Sequence, residues 1–340
     1  MSTPSTLRAG RRTNLALLAM LVSALVTGLL GYAIGTPGTA RVVTIAHGAF
    51  GLGLLLLVPW KSVIVRRSIG RSTQHHTASI LLGLLLLTSL AAGVLHAVGG
   101  YHSVLGFTAL TVHVAAAVLI VPLLVAHARG RRQQLRRADL TRRTVLRAGA
   151  LGVGSLAAYG TVEAANAVLR LPGRHRRATG SYEIGSGVPE QMPVTQWFTD
   201  RVPTVDRLGW QVEIGPRTVT YADLSASPDG VRAVLDCTGG WYAEQDWRGV
   251  RLDRLLTDAP ADTQSFDVVS VTGYRRRFAL ADADRLLLAT HVAGSPLSGG
   301  HGGPVRLVAP GRRGYWWVKW VRRVELTSRP AWLQPPFPLQ

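Results

Sequence analysis

Two kinds of residue are nearly missing from this sequence of 340 residues. There is one cysteine, Cys237, and the first 138 residues contain no aspartate or glutamate at all. A single cysteine excludes an intrachain disulfide, so the fold does not depend on an oxidising compartment. The missing carboxylates deny every histidine of that long segment an acidic partner. Lysine is scarce too, at Lys61 and Lys319 alone, a usage that reflects a GC-rich genome rather than chemistry.

The formal charge of +19 is unevenly spread. Thirteen basic residues precede Asp139, seven Arg face two acids from Asp139 to Gly180, and 18 basic residues face 17 acidic ones from Ser181 onward. A nucleic-acid-binding domain would carry its own basic excess, and the C-terminal half carries almost none. Nucleic acid is therefore excluded as a partner. The positive charge lies in and beside apolar runs, where it orients a chain in a lipid bilayer.

Those runs are long. Asn14–Ile34 is uncharged and is followed by the turn-like Gly35-Thr36-Pro37-Gly38-Thr39-Ala40. Val42–Trp60 is a second run, and Ser72–Ala128 contains no Lys, Arg, Asp or Glu. A membrane-crossing helix needs roughly 20 apolar residues, so this last stretch holds two helices, broken near Gly99-Gly100-Tyr101. Four spans result, with the Arg8–Arg12, Lys61–Arg71 and Arg129–Arg143 segments inside by the positive-inside rule. Only Arg41 stands against that pattern. A fifth, weaker segment, Val145–Leu169, follows Thr141-Arg142-Arg143-Thr144-Val145-Leu146-Arg147. This heptad resembles a twin-arginine export signal, and Ala165-Asn166-Ala167 has the small-x-small form of a signal-peptidase site.

The expected organisation is a cytoplasmic tail over 1–13, a four-helix transmembrane domain over 14–128 and an Arg-rich cytoplasmic loop over 129–144. A signal-anchor helix over 145–169, a linker over 170–180 and an outer domain over 181–340 complete it. Past the linker, short β-rich runs alternate with Gly, Pro and Asp: Trp210–Ile214, Val231–Leu235, Phe266–Val271, Val305–Val308 and Val318–Leu326. Such spacing predicts a mainly β domain of α+β type, behind an all-α helical bundle. The product is a multi-pass protein of the cell membrane with its catalytic domain on the extracytoplasmic side.

The membrane domain carries a trace of internal repetition. Leu25–Leu30 overlies Leu90–Leu95 at a shift of 65, and a shift of 66 lays His47 on His113. Ionisable groups in lipid are costly and usually functional. Neutral imidazoles on facing helices are the usual axial ligands of a b-type haem, which makes His47 and His113 a candidate pair. His127 follows His113 by about 21 Å of helix at 1.5 Å per residue, and its inner partner for a second haem would be His76 or His75. His96 and His102 stay open: ligands, part of a quinone site, or interfacial groups bonded to backbone. The arrangement resembles bacterial b-type cytochrome membrane subunits at class level.

The sharpest motifs lie further on. Asp236-Cys237-Thr238-Gly239-Gly240-Trp241 puts a soft sulfur at the end of a β run before a Gly-rich turn, a good ligand for a high-valent metal. His301-Gly302-Gly303-Pro304-Val305-Arg306, then Pro310-Gly311, then Val318-Lys319-Trp320, brings cationic groups together around turns that suit an anion. In this order the patterns resemble the sulfite-oxidase superfamily of molybdopterin enzymes, over roughly Pro189 to the C-terminus.

The resemblance implies that Cys237 gives molybdenum its protein thiolate, with a pterin dithiolene supplying the other sulfurs. It implies too that His301, Arg306 and Lys319 hold the pterin and its phosphate. Arg312 and Arg313 either add charge there or are a solvated pair. Two departures matter. Sulfite oxidases have an arginine five residues after the cysteine, where this chain has Tyr242. The position of their active-site tyrosine matches Thr290, with His291 beside it. Tyr242, Thr290 and His291 are thus the candidate substrate-pocket residues. Trp241 is closer to bacterial periplasmic protein-methionine-sulfoxide reductase catalytic subunits, which work with a separate haem-b membrane partner.

The expected function is oxo transfer on a small-molecule or protein S-oxide or N-oxide, coupled through one or two b haems to the membrane quinone pool. The alternatives are a sulfite-type oxidase running in the opposite direction, or a non-catalytic electron-transfer or sensor protein.

Overall fold

A computed structural model describes residues 10–69, 76–130, 139, 141–197 and 200–337, without the side chains of 67–69, 76 and 130. Most of the 1–13 tail, residues 131–138 and 140 of the Arg-rich loop, His75 and the side chain of His76 lie outside the described residues. The chain divides into two compact units, one of Met1–Tyr32 with Pro37–Gly180 and the other of Ala33–Thr36 with Ser181–Gln340.

The first unit is helical. Its helices are α1 (Arg11–Ala33), α2 (Pro37–Leu56), α3 (Val58–Ile69), α4 (His76–Gly99), α5 (Ala109–Gly130) and α6 (Arg142–Val168). All but α3 are long and apolar enough to cross a membrane. Two boundaries differ from expectation. Pro37 opens α2 instead of closing a turn, because a proline at the first helical position loses only an amide that would be unpaired there. Arg41 is thereby helical. The second run stops at Leu56 rather than Trp60, since Pro59 cannot donate to the preceding turn; α3 then carries Lys61 and Arg66.

Between α4 and α5 lies a small hairpin of β1 (Ser103–Val104) and β2 (Phe107–Thr108). The N-cap of α6 is Thr141, whose Oγ1 accepts from the Thr144 amide at 3.3 Å. The helix therefore starts on the paired arginines. At its far end Asn166 is 1% exposed and donates from Nδ2 to the Ala97 carbonyl at 3.2 Å. Arg176 reaches the same carbonyl at 2.8 Å and pairs with Glu163. The small-x-small tripeptide is thus inside the last turn of a helix, with its middle residue buried.

The second unit is built on two mixed sheets. Its strands are β3 (Tyr182–Glu183), β4 (Gln211–Ile214), β5 (Arg217–Thr220), β6 (Asp229–Asp236), β7 (Trp241–Arg251), β8 (Ser265–Ser270) and β9 (Arg275–Ala279). They continue with β10 (Leu287–Val292), β11 (Ser295–Pro296), β12 (Arg306–Val308) and β13 (Val321–Thr327). One sheet runs β11-β10-β7-β3, with β12 on β10 and β6 on β7; the other runs β5-β4-β13-β8-β9. Strands β4, β6, β8, β12 and β13 fall on the expected β-rich runs.

Strand β7 decides the layout of the first sheet. Trp241, Ala243, Gln245 and Trp247 are buried, while the residues between them are more open. Period-two alternation sends the first set into the core and the second to the other face. Trp247 is 1% exposed, and its Nε1 donates to the Ala233 carbonyl of β6 at 3.2 Å.

Candidate active site

Cys237 stands at the β6–β7 connection. Its amide donates to the Trp241 carbonyl at 2.9 Å, and the Gly240 amide returns a bond to the Cys237 carbonyl at 3.2 Å. The sulfur is held on this tight turn, with the Gly239 amide pointing at Sγ from 3.4 Å. A second loop closes on the same spot: a Cβ on Gly314 would lie 3.0 Å from the Cys237 Cα. Only glycine permits that approach.

Around the sulfur the charge is positive. Arg306 is 2% exposed and donates to the His301 carbonyl at 2.8 Å, while its Nε has no hydrogen-bond partner among the described residues. Lys319 Nζ donates to the carbonyls of Thr195 and Gly300 at 2.8 and 2.6 Å. Neither cation forms an ion pair with a carboxylate among the described residues. Burial pulls the Arg306 guanidinium down to about 10. Burial, then repulsion from Arg306, pulls the Lys319 ammonium down to about 7. Burial also pushes the Cys237 thiol up, against the opposing pull of Gly239, Arg313 and Lys319. Buried charge of one sign is costly unless an anion completes it. A thiolate together with a phosphate-bearing cofactor is such an anion, so the donor set fits a molybdenum–pterin group.

Gly302 joins these groups. Its φ of 98° is in the left-handed region, and a Cβ there would meet Lys319 Cγ at 2.9 Å and Arg306 Cβ at 3.1 Å. His301 is fixed differently. Its Nδ1 is 2.9 Å from Ser298 Oγ and its Nε2 donates to the Met192 carbonyl at 3.1 Å. Both ring nitrogens are engaged within the protein, so His301 shapes the loop rather than offering a free nitrogen.

The cleft at Cys237 is lined by Trp197, Tyr274, Tyr315, Trp317 and Trp320, with Asp200 and Lys319 among the polar groups. Three expected pocket residues are not among its lining. Tyr242 follows Trp241 on β7 and so points to the opposite face. Thr290 is fully buried on β10, its Oγ1 3.5 Å from the Arg248 carbonyl and 2.9 Å from His291 Nδ1. His291 stands on the same strand opposite Arg248; burial, then repulsion from Arg248 and Arg207, lowers its imidazole. The three placements share one cause: a motif fixes a position in the chain, and strand pleat fixes the face.

One residue escaped the sequence reading, and one pair is resolved by the structure. Asp200 lines the cleft, and burial pushes its carboxyl up; nothing in the surrounding Thr-Asp-Arg distinguishes it from a loop acid. Arg313 is buried against Asp236, whereas Arg312 is exposed and meets Asp282 at 3.2 Å. The two arginines therefore differ, one buried in an ion pair beside Cys237 and the other on the surface.

Residues 199–333 match the family of the oxidoreductase molybdopterin binding domain. This is a molybdenum oxidoreductase domain. Cys237, His301, Arg306 and Lys319 all fall inside the matched segment. Among solved structures, the sulfane dehydrogenase SoxCD from Paracoccus pantotrophus is similar at 25% identity. That match covers 38% of this chain and 40% of that one, with a TM-score of 0.36, so the chain spans well under two thirds of that protein. No curated protein matches the chain.

In the helical unit, His47 on α2 and His113 on α5 come together, with ring centroids 5.7 Å apart and planes at 83°. His96 is buried and donates from Nε2 to the Gly180 carbonyl at 3.0 Å, which takes up that nitrogen. His127 is in the last turn of α5. Its expected partner side chain at His76 is outside the described residues.

Proposed function

We propose that this chain is a membrane-anchored molybdopterin oxidoreductase that reduces an S-oxide or N-oxide with electrons drawn from membrane quinol through haem b. The observation that carries the first part is the pair of cations, buried Arg306 and half-buried Lys319, beside Cys237 without a carboxylate ion pair among the described residues. Cys237 anchors the metal, and Arg306 and Lys319 hold the anionic cofactor. When bound, that cofactor supplies two-electron oxo-transfer chemistry.

The cleft favours an oxide over sulfite. Its walls are aromatic and Lys319 is their one cation among the described residues, whereas a dianion would call for converging guanidinium groups. An S-oxide presents an apolar body to the aromatic faces and a single dipolar oxygen to the polar end. Its reduction consumes two electrons and two protons and yields the sulfide and water. Asp200, with its carboxyl raised, is placed to carry those protons into the cleft.

The five apolar helices support membrane anchoring. The His47–His113 pair supports a haem, since two imidazoles brought together from different helices are its usual axial ligands. Positive loops on one side and a helix opening on Arg142-Arg143 support an outer location for the oxidoreductase unit. A screen of S-oxides, N-oxides and sulfite with reduced and oxidised redox dyes tests the reaction. Turnover of an oxide with a reduced dye is expected; turnover of sulfite alone would reverse the direction, and none at all would favour a sensor.

A further inference from the structure

The helical unit repeats itself in its contacts as well as in its sequence. His47 Nδ1 donates to the Ala24 carbonyl at 2.9 Å, and His113 Nδ1 donates to the Ser89 carbonyl at 2.7 Å. Ala24 and Ser89 are 65 residues apart, the same shift that lays Leu25–Leu30 on Leu90–Leu95. One helical turn further on stand Gly28 and Gly93, again 65 apart. A Cβ on Gly28 would lie 3.0 Å from His47 Cε1, and one on Gly93 would lie 2.9 Å from His113 Nδ1.

Each hairpin thus uses the same device. Its first helix offers one backbone carbonyl and, a turn away, one bare patch of backbone. The imidazole from its second helix is clamped between the two. A carbonyl oxygen can only accept, so the proton of each ring is on Nδ1 and each Nε2 keeps its lone pair. Neither Nε2 has a hydrogen-bond partner among the described residues. Orientation by a second partner of this kind is how proteins fix a metal-bound histidine. A histidine retained only for packing has no need of the same clamp twice, nor of a free nitrogen on both rings.

We infer that Ala24 with Gly28, and Ser89 with Gly93, form a duplicated seat that holds His47 and His113 as the two axial ligands of one haem with their ring planes crossed. This rests on the haem reading above and adds to it the residues that set the ligand planes, together with a spectroscopic class. Each imidazole donates π density into one of two iron orbitals. Parallel rings favour one orbital and split the pair; crossed rings treat both alike and leave them nearly degenerate. Near-degeneracy gives a ferric low-spin centre of very large g anisotropy, in place of the ordinary rhombic spectrum.

The test is low-temperature electron paramagnetic resonance of the oxidised full-length protein in native membranes or nanodiscs. Wild type is expected to give the strongly anisotropic low-spin signal. Gly28→Ala and Gly93→Ala should each push a ring from its seat, and so shift the signal toward the rhombic type or lower haem content several-fold. Gly83→Ala, on α4 with nothing within 4 Å of its Cβ, is the control and should match wild type. A rhombic wild-type signal overturns the crossed seat without any variant having to fold, while leaving the haem in place. Gly28→Ala and Gly93→Ala behaving like Gly83→Ala overturns the role of the glycines. Absence of any haem signal or absorption overturns the haem reading itself, and the seat with it.

Discussion

Arg313 is ion-paired with Asp236, the residue directly before Cys237, and the two side chains are only 3% and 9% exposed. Ser181 Oγ adds a hydrogen bond to the same carboxylate at 2.7 Å. The pair ties the loop carrying Gly314 to the strand end carrying the sulfur. Breaking a buried pair by removing one partner leaves an uncompensated charge, at a cost of about 3–5 kcal/mol. Arg313→Ala should therefore lose about that much stability in denaturant titration. Arg312→Ala, which breaks an exposed contact, should change it by less than about 1 kcal/mol. Equal effects would mean that the buried pair is not the tie.

The pH dependence of the cofactor-free protein follows from Lys319. Its folded value is depressed to about 7 from an ordinary 10.5. Between those values the unfolded chain binds the extra proton, so stability rises with pH across that window. Below it both states are protonated and the full burial penalty remains. Thermal melts of apo wild type should rise over this interval more steeply than those of Lys319→Met. Parallel curves would show that Lys319 is not the group that titrates.

The face of β7 sets a prediction for the cleft. Tyr242→Phe and His291→Ala should keep turnover within about threefold, since neither side chain lines it. Asp200→Asn should lower turnover by about 10²-fold or more, the usual loss for a positioned acid, with the larger loss at low pH, where the wild-type carboxyl holds its proton. Steady-state rates across a pH series decide between them. A collapse in Tyr242→Phe with normal Asp200→Asn would reverse the assignment.

The α6 end makes a prediction about processing. Asn166 is buried and bonded to Ala97, and Ala165–Ala167 is helical, so the peptide bond after Ala167 is not presented in extended form to a peptidase. A C-terminally tagged protein should be recovered from membranes at its full 36.5 kDa. A soluble, much smaller tagged fragment would contradict this. Replacing Arg142 and Arg143 with Lys should hold the tag inside the cell while α1, α2, α4 and α5 still insert.

How much was legible in the sequence follows from what each signal depends on. Uncharged length revealed the long helices, and alternation in Val231-Arg232-Ala233-Val234-Leu235 revealed β6. The longest strand, β7, was hidden because Glu244, Gln245 and Asp246 interrupt its apolar pattern, and Gln245 is buried only by bonding to the Gly185 carbonyl at 2.6 Å. The glycines between Cys237 and Trp241 did announce the turn that holds the sulfur, and β7 begins directly after it. Arg312 and Arg313 are chemically identical in sequence, and only the neighbouring Asp236 separates them. The repeat was visible at two shifts, while the equivalence of the carbonyls of Ala24 and Ser89 is a backbone property that no side chain announces.

The central claim is that Cys237 gives molybdenum its protein sulfur, and molybdenum K-edge X-ray absorption on purified wild type and Cys237→Ser tests it most directly. The expected result is a molybdenum signal in wild type with one more sulfur neighbour than in the serine variant, whose turnover is lost while its fold persists. An unchanged sulfur count in Cys237→Ser, or no molybdenum in the wild-type protein, would contradict the account.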